Sequence, residues 1–457
     1  MGKEEMNHND TICSLATAPG GALAIIRVSG LEALSVVDTI CRSSIASAPA
    51  NTIRYTHVTD GSELIDEVVV SVYRAPHSYT GEDSAEISCH GSSYIITKIL
   101  EALIANGCRM ANPGEYTMRA YLNGKMDLSQ AEAVADLIAS TNKATHKIAM
   151  SQLRGHFSSE LSSLREQLLR LTSLLELELD FSDHEDLEFA DRNELLEIAQ
   201  RIESHISHLV QTFEAGQALK NGIPVAIIGK TNVGKSTLLN KLLKDERAIV
   251  SDIHGTTRDT IEDTIGIQGI TFRFIDTAGI RQTVDTVEQI GIERTYQAME
   301  KARIILWLID EEPSKEELQV MQEKCEGKSL IIIQNKIDKE EKIQASTLSS
   351  LTTHFITISA KFGTNIDQLE KEIYTVANIP EIKENDIIVT NARHYNALLL
   401  AQEDIQRVIS GLEQNLSGDL LSEDLRMILS TLAEITGGEI TPDEVLGNIF
   451  KHFCVGK

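Results

Sequence analysis

The residues best suited to chemistry fall in five short stretches, in chain order: GKTNVGKS from Gly229, HGTTRD from His254, DTAG from Asp276, NKID from Asn335 and SAK from Ser359. GKTNVGKS lies between the apolar run PVAIIG and the helix-forming STLLNKLL, a strand-loop-helix context in which glycines let backbone N–H groups face phosphates. Lys235 is placed to reach β- and γ-phosphate oxygens and Ser236 to ligate Mg²⁺, with Asn232, Val233, Gly234 and Thr237 completing the loop. DTAG follows FRFID and offers Asp276 near the metal, then Thr277, Ala278 and Gly279, whose N–H can sense the γ-phosphate. In SDIHGTTRD, Thr256 and Thr257 are the candidates for a loop that closes over Mg²⁺ when a third phosphate is present, flanked by Asp252, His254 and Gly255. Outside this series such threonines read as a capped turn.

NKID follows SLIIIQ, and a carboxylate there can accept both the N1–H and N2–H of guanine, groups that adenine does not present in that form. Asp338 therefore selects GTP over ATP, Asn335 and Lys336 support the base, and the Ala360 N–H, between Ser359 and Lys361, can meet the guanine O6. The ordered set specifies a guanine-nucleotide switch. Two departures from the Ras-like pattern bear on mechanism: Ile280 follows DTAG where a water-orienting Gln is expected, and no cis arginine finger stands out.

The elements that must hold these residues are read from length and periodicity. A chain of 457 residues calls for several cores, and 42% hydrophobic with 24% charged residues is a globular composition. No apolar run approaches the roughly 20 residues of a membrane span, and MGKEEMNHND resembles no secretory or transit segment, so cytoplasmic residence is the expectation. Cysteines 13, 41, 89, 108, 325 and 454 show no CxxC or metal-ligand spacing and read as reduced thiols. A formal charge of -26 argues against a general nucleic-acid grip, so any RNA needs a local patch or a partner, and DNA is not expected.

Residues 1–124 alternate strand-like runs (ALAIIRV, EVVVSVYR, AEISCH) with one helix-like stretch, SYIITKILEALIANG, and read as an α+β domain. Residues 125–221 are helical: Ser129 and Glu132 have capping-box spacing, and Leu161, Leu164, Leu168, Leu171, Leu175 and Leu179 form a stripe suited to a bundle core or dimer seam. Residues 222–379 return to strand-helix alternation, a doubly wound Ras-like P-loop unit holding all five motifs. Helical patterning resumes over 380–457, and the simplest arrangement packs both helical stretches as one discontinuous domain with the G domain inserted.

The closing Phe453-Cys454-Val455-Gly456-Lys457, with TGEDSAE from Thr80, NPGEYTMRAYLNGKMDLSQAEA from Asn112 and LGNIFKHFCVGK, resembles the MnmE (TrmE) family of tRNA-modification GTPases over nearly the whole chain. The resemblance implies a homodimer that works with the flavoprotein MnmG in a heterotetramer, with FAD on that partner. Together they add a carboxymethylaminomethyl or aminomethyl group to C5 of the wobble uridine of certain tRNAs, from a 5-formyl or 5,10-methylene tetrahydrofolate. It implies a K⁺ ion held by Asn232, Ser251, Ile253 and Thr256, supplying the charge of an arginine finger as the G domains meet; the family mostly carries Thr at Ser251, a harmless change if a backbone oxygen is used. It makes Glu288 the water-orienting carboxylate, although spacing alone reads it as a solvated helix start. It assigns Arg27, Glu86 and Lys125 to the folate, a pterin suiting a carboxylate and a carboxylate tail suiting cations. GGALAIIR departs there from a longer family turn. Cys454 becomes catalytic and Lys457 a neighbour of the folate, where base rate makes a lone cysteine a packing residue; His90 and His452 are read as ordinary. The other reading from the nucleotide motifs is a ribosome-assembly GTPase of the Era or Der type, which calls for a basic RNA-binding module and has no use for FCVGK.

Overall fold

The computed structural model describes residues 10–180, 192–244, 263–275, 288–339, 343, 348, 351–352, 354–379, 386–438, 443–451, 453, 454 and 456. Contacts divide the chain into two compact units, residues 1–139, 149–206 and 396–457 in one and 140–148 and 207–395 in the other.

The first unit opens with β1 (Ile12–Leu15), β2 (Leu23–Ser29), α1 (Ala33–Ile40), β3 (Thr52–Asp60), β4 (Glu63–Tyr73), β5 (Ser84–His90), α2 (Ser93–Ala105) and β6 (Arg109–Met110). The strands form one sheet in the order β3-β4-β5-β2-β1-β6, antiparallel except for the parallel β1–β6 pair. Alternate residues such as Ile26, Val28, Val70, Val72, Ala85 and Ile87 are buried with α1 and the Ile96, Ile99 and Leu103 face of α2, so period-2 and period-3.6 patterns meet in one core. Residues 1–124 therefore hold more than the one expected helix. Alongside α2 the structure has α1 and α3 (Glu115–Leu122), each only 8 residues, and α3 buries Glu115, Thr117 and Arg119 rather than an apolar stripe. A helix that short gives periodicity too few turns to register.

The helical part of this unit contains α4 (Leu128–Ala139), α5 (Lys143–Leu153), α6 (His156–Asp180) and α7 (Arg192–Asn221), then α12 (Ala392–Glu413), α13 (Gly418–Thr436) and α14 (Asp443–Phe450), with α5, α7 and α12 each divided between the two units. The start of α4 corrects the expected capping box. Asp127, not Ser129, is the cap: the Gln130 N–H donates to Asp127 Oδ1 at 2.9 Å and the Asp127 N–H to Gln130 Oε1 at 2.9 Å, while the Ser129 hydroxyl bonds Asp127 Oδ1 at 2.7 Å. An ionised carboxylate at the helix N-terminus gains from the backbone dipoles as a hydroxyl does not, which favours the Asp-Gln register by two residues. Leu161, Leu164, Leu168, Leu171 and Leu175 are 0–3% exposed on α6, which packs against α4 and α13; the Leu179 side chain lies outside the described residues. Each such leucine stabilises the bundle by about 1.5–3 kcal/mol. Phe450 and Leu446 of α14 pack with Met118 of α3 and Leu128 and Ala131 of α4.

The second unit is a three-layer α/β fold. Its strands are β7 (Ile223–Ile228), β8 (Asp263–Ile267), β9 (Ile270–Phe274), β10 (Ile304–Ile309), β11 (Ser329–Gln334) and β12 (Phe355–Thr357), in the order β12-β11-β10-β7-β9-β8, with only the β8–β9 pair antiparallel. Helices α8 (Lys235–Lys244) and α11 (Ile366–Val376) pack on one face, and α9 (Glu288–Lys301) and α10 (Lys315–Lys324) on the other. Cover on both faces explains why β10 reads IILWLI and is buried at every position. Among the described residues no helix is long and apolar enough to cross a membrane.

Candidate functional site

The loop between β7 and α8 carries GKTNVGKS, with Asn232 exposed at φ +62°. Gly234, at φ +109°, has no room for a side chain: a Cβ there would stand 2.2 Å from Asn335 Nδ2. Asn335, 5% exposed after β11, donates from Nδ2 to the Val233 carbonyl at 2.7 Å and accepts the Ala360 N–H on Oδ1 at 3.0 Å. One amide thus joins the phosphate loop, NKID and SAK. The Ala360 N–H, expected on the guanine O6, is here shared with Asn335.

Beside it, the Ser359 hydroxyl donates to Asp338 Oδ1 at 2.7 Å, and this hydrogen bond holds the Asp338 carboxyl below its ordinary range. Asp338 is therefore an exposed, ionised acceptor pair at neutral pH, the chemistry a guanine edge requires. Lys235 folds over the loop and donates from Nζ to the carbonyls of Gly229 at 2.6 Å and Lys230 at 2.7 Å. Burial lowers its pKa, and an arriving phosphate would offer the charge that these neutral carbonyls lack. Val233 is buried, Ser236 half-buried and Thr237 exposed in the first turn of α8, where N–H groups and the helix dipole favour anions. Lys336 sits at φ +63°, and Lys361 lies 5.2 Å from the Phe362 ring centroid.

Ser251, Asp252, Ile253, His254, Gly255, Thr256, Thr257, Asp276, Thr277, Ala278, Gly279 and Ile280 lie outside the described residues, as do His452 and Lys457. Glu288 is the first residue of α9, and its side chain is likewise outside them.

A second constellation stands in the first unit. Arg27 of β2 and Glu86 of β5 face each other in register, with Nε and Nη2 at 3.0 and 2.8 Å from Glu86 Oε1. The Arg27 guanidinium lies 5.3 and 5.5 Å from the ring centroids of Tyr79 and Tyr116, and its Nη1 donates to the Gly456 carbonyl at 3.2 Å. The C-terminal tail is thus docked on the sheet. Gly456 is buried there at φ +95°, where a Cβ would stand 2.4 Å from the Leu15 carbonyl, and the Gly114 N–H donates to the Cys454 carbonyl at 3.4 Å. Cys454 itself is exposed. Lys125 Nζ donates to the Pro76 carbonyl at 2.8 Å, in the loop that carries Tyr79.

Sequence reasoning passed over several residues that the fold makes important. Tyr79 and Tyr116 flank Arg27 although nothing in their spacing marks them. Within TGEDSAE and NPGEYTMR, Glu82, Glu115 and the 2%-exposed Arg119 form an ion network with Asp10 and Arg109. Asp10 and Glu115 are held below the ordinary carboxylate range, burial pushing each up and Arg109 and Arg119 more than reversing it. The i, i+4 spacing of Glu115 and Arg119 was the available signal.

Two family models match the chain: "GTP-binding protein TrmE N-terminus" over residues 11–125 and "MnmE helical domain" over residues 128–454. Proteins named tRNA modification GTPase MnmE are 55% identical in Bacteroides thetaiotaomicron and 54% identical in Bacteroides fragilis, each over 98% of this chain and 100% of the relative. The protein of that name from Flavobacterium johnsoniae is 49% identical over 99% of this chain and 100% of its own length. Among solved structures, the G domain of the T. maritima FeoB iron transporter is 24% identical over 34% of this chain and 99% of that one, with a TM-score of 0.26, and no argument rests on it.

Proposed function

The chain belongs to the MnmE family, matched from residue 11 to residue 454, and from that membership we propose that it hydrolyses GTP to drive modification of tRNA. The reaction proposed is addition of a carboxymethylaminomethyl or aminomethyl group to C5 of the wobble uridine, performed with the flavoprotein MnmG in the cytoplasm. The observation that carries the group-transfer reading is the tail: the Gly456 carbonyl on Arg27 brings FCVGK to the Arg27–Glu86 pair, a juxtaposition that a plain nucleotide switch does not need.

A pterin donates N–H groups and stacks, and the Glu86 carboxylate, the Arg27 cation and the Tyr79 ring suit it; Lys125 suits a carboxylate tail. The folate supplies a one-carbon unit when bound. Arg27 fixes Glu86 and the tail, and the exposed Cys454 has access to solvent. For K⁺, Asn232 offers an exposed amide oxygen at the phosphate loop, and for Mg²⁺ the Ser236 hydroxyl stands at the start of α8. K⁺ would supply positive charge beside the phosphates, a role suggested by Ile280 after DTAG and by a sequence in which no cis arginine finger stands out. Hydrolysis should run much faster in KCl than in NaCl, and equal rates would remove K⁺ from the mechanism. With a charge of -26, tRNA is held mainly through the complex; tight filter binding by this chain alone would contradict that.

The deciding experiment is nucleoside mass spectrometry of tRNA from cells lacking this chain, complemented with wild type or Cys454→Ser. Wild type should restore the modified uridine. Cys454→Ser should keep GTP hydrolysis and lose the modification, whereas an intact modification would remove the thiol from the chemistry and unmodified tRNA with wild type would overturn the proposal.

A further inference from the structure

Strand β10 is wholly apolar and runs into Asp310, Glu311 and Glu312, three carboxylates in succession. A charge run at a strand end is ordinarily a solvated turn. Here two of the three have specific partners, and both partners belong to nucleotide motifs. Lys336 of NKID donates from Nζ to Asp310 Oδ2 at 2.6 Å. Lys230 of GKTNVGKS donates to Glu311 Oε1 at 2.7 Å and lies 3.3 Å from Glu317 Oε1. Glu317 is fixed in turn by a capping box at the start of α10, accepting the Ser314 N–H at 2.8 Å while its own N–H donates to Ser314 Oγ at 3.2 Å. One strand end therefore holds the phosphate loop and the base loop together, as Asn335 does by its bond to Val233.

We propose that Asp310 and Glu311 are positioning residues for nucleotide binding, a clamp that acts through Lys336 and Lys230. Neither belongs to any of the five motifs. A lysine carries a long, freely rotating stem, and a tether at its head group fixes that stem before the ligand arrives, as a wall beside Asp338 in one case and as part of the phosphate loop in the other. The pairs are partly exposed, with Lys336 and Asp310 side chains 29% and 30% accessible and Lys230 and Glu311 51% and 63%, so each alone is weak and salt-screened. Their joint effect is a modest gain in affinity that salt erodes. The inference rests on the nucleotide reading of this site.

The test compares the full-length chain with Asp310→Asn, Glu311→Gln and the double variant, using Glu316→Gln, an exposed carboxylate in the first turn of α10, as the charge control. A fluorescent GDP analogue reports release by stopped flow at low and high ionic strength, and steady-state GTP hydrolysis gives KM and kcat. The double variant should release nucleotide about tenfold faster at low salt, with the gap closing at high salt. KM should rise by more than kcat falls, which loss of folded protein would not produce, and Asp310→Glu should recover most of the affinity. Release rates equal to wild type in variants with unchanged melting curves overturn the clamp. So does wild-type release that ignores ionic strength. Failure of the wild-type protein to bind the analogue overturns the nucleotide reading itself, a result distinct from loss of the clamp alone.

Discussion

Asp338 shows how one hydrogen bond sets a working range. The Ser359 hydroxyl favours the ionised carboxylate and holds its pKa below the ordinary 3.8, so the group is an ionised acceptor throughout the neutral range, as the proposed guanine contact requires. A depressed carboxyl contributes fully above its unfolded value and loses that contribution only as pH falls through the depressed one. GDP affinity should therefore be flat from about pH 8 to about pH 5 on account of this group. Fluorescence titration across that window checks it, and a loss near pH 6.5 would mean that another residue governs the base. Asp338→Asn should cost at least about a hundredfold in affinity, since the two guanine donors lose their carboxylate acceptor. NKID made Asp338 and Asn335 candidates for the base because guanine's donors call for a carboxylate. Asn335 joining three loops was not, because that depends on where SAK returns in space.

At the scale of elements, the most consequential packing is a charged one. Helix α3 is held to β6 and the β5 approach by Arg119 and Arg109 among Asp10, Glu82 and Glu115, with Arg119 Nε buried without a partner. Removing one member strands the rest: Arg119→Met should destabilise the β1–β6–α3 region by about 3 kcal/mol, read as faster hydrogen exchange of those amides while the P-loop unit keeps its protection. Unchanged exchange would show the network to be dispensable. Because Asp10 and Glu115 titrate below the normal range, the same region should weaken only in acid, as pH drops below about 4. Within the P-loop unit, the chain entering and the chain leaving run side by side: the Val389 N–H donates to Thr212 Oγ1 at 3.0 Å, Gln217 Nε2 to the Thr390 carbonyl at 2.8 Å, and Phe213 stacks on Tyr395 at 4.0 Å. Periodicity found the long helices and, in the first sheet, β2, β4 and β5, but not β1, β3 or β6. It missed α1 and α3 and misplaced the α4 cap, because one or two turns carry little periodic signal and a cap is chosen by local electrostatics.

For the whole molecule, the sheet register carries a statement about assembly. Pairing places Ile53, Ser71, Glu86 and Arg27 in one cross-strand row and Tyr55, Val69, Ser88 and Ile25 in the next, on the face opposite the α1–α2 core. Ile53, Tyr55 and Leu23 on that face are 64–69% exposed. An apolar sheet face beside a polar pair has the character of a docking surface, and the homodimer expected from the family resemblance would place a second copy of the chain there. Tyr55→Glu should shift the species seen by light scattering toward monomer, and an unchanged mass would move the dimer interface elsewhere.

What the sequence determined by itself was the nucleotide chemistry and the order of the architecture. Phosphate loops, the NKID stretch and long amphipathic helices are local: their residues lie within a few turns or a single loop, so spacing reports them directly. What only the tertiary structure decided was which distant residues meet. Gly456 reaches Arg27 across most of the chain, Arg119 gathers carboxylates from three segments, and Asp310 finds Lys336 from the neighbouring strand. Those contacts are set by strand order and by the burial of a common core, and a pattern along the chain contains neither.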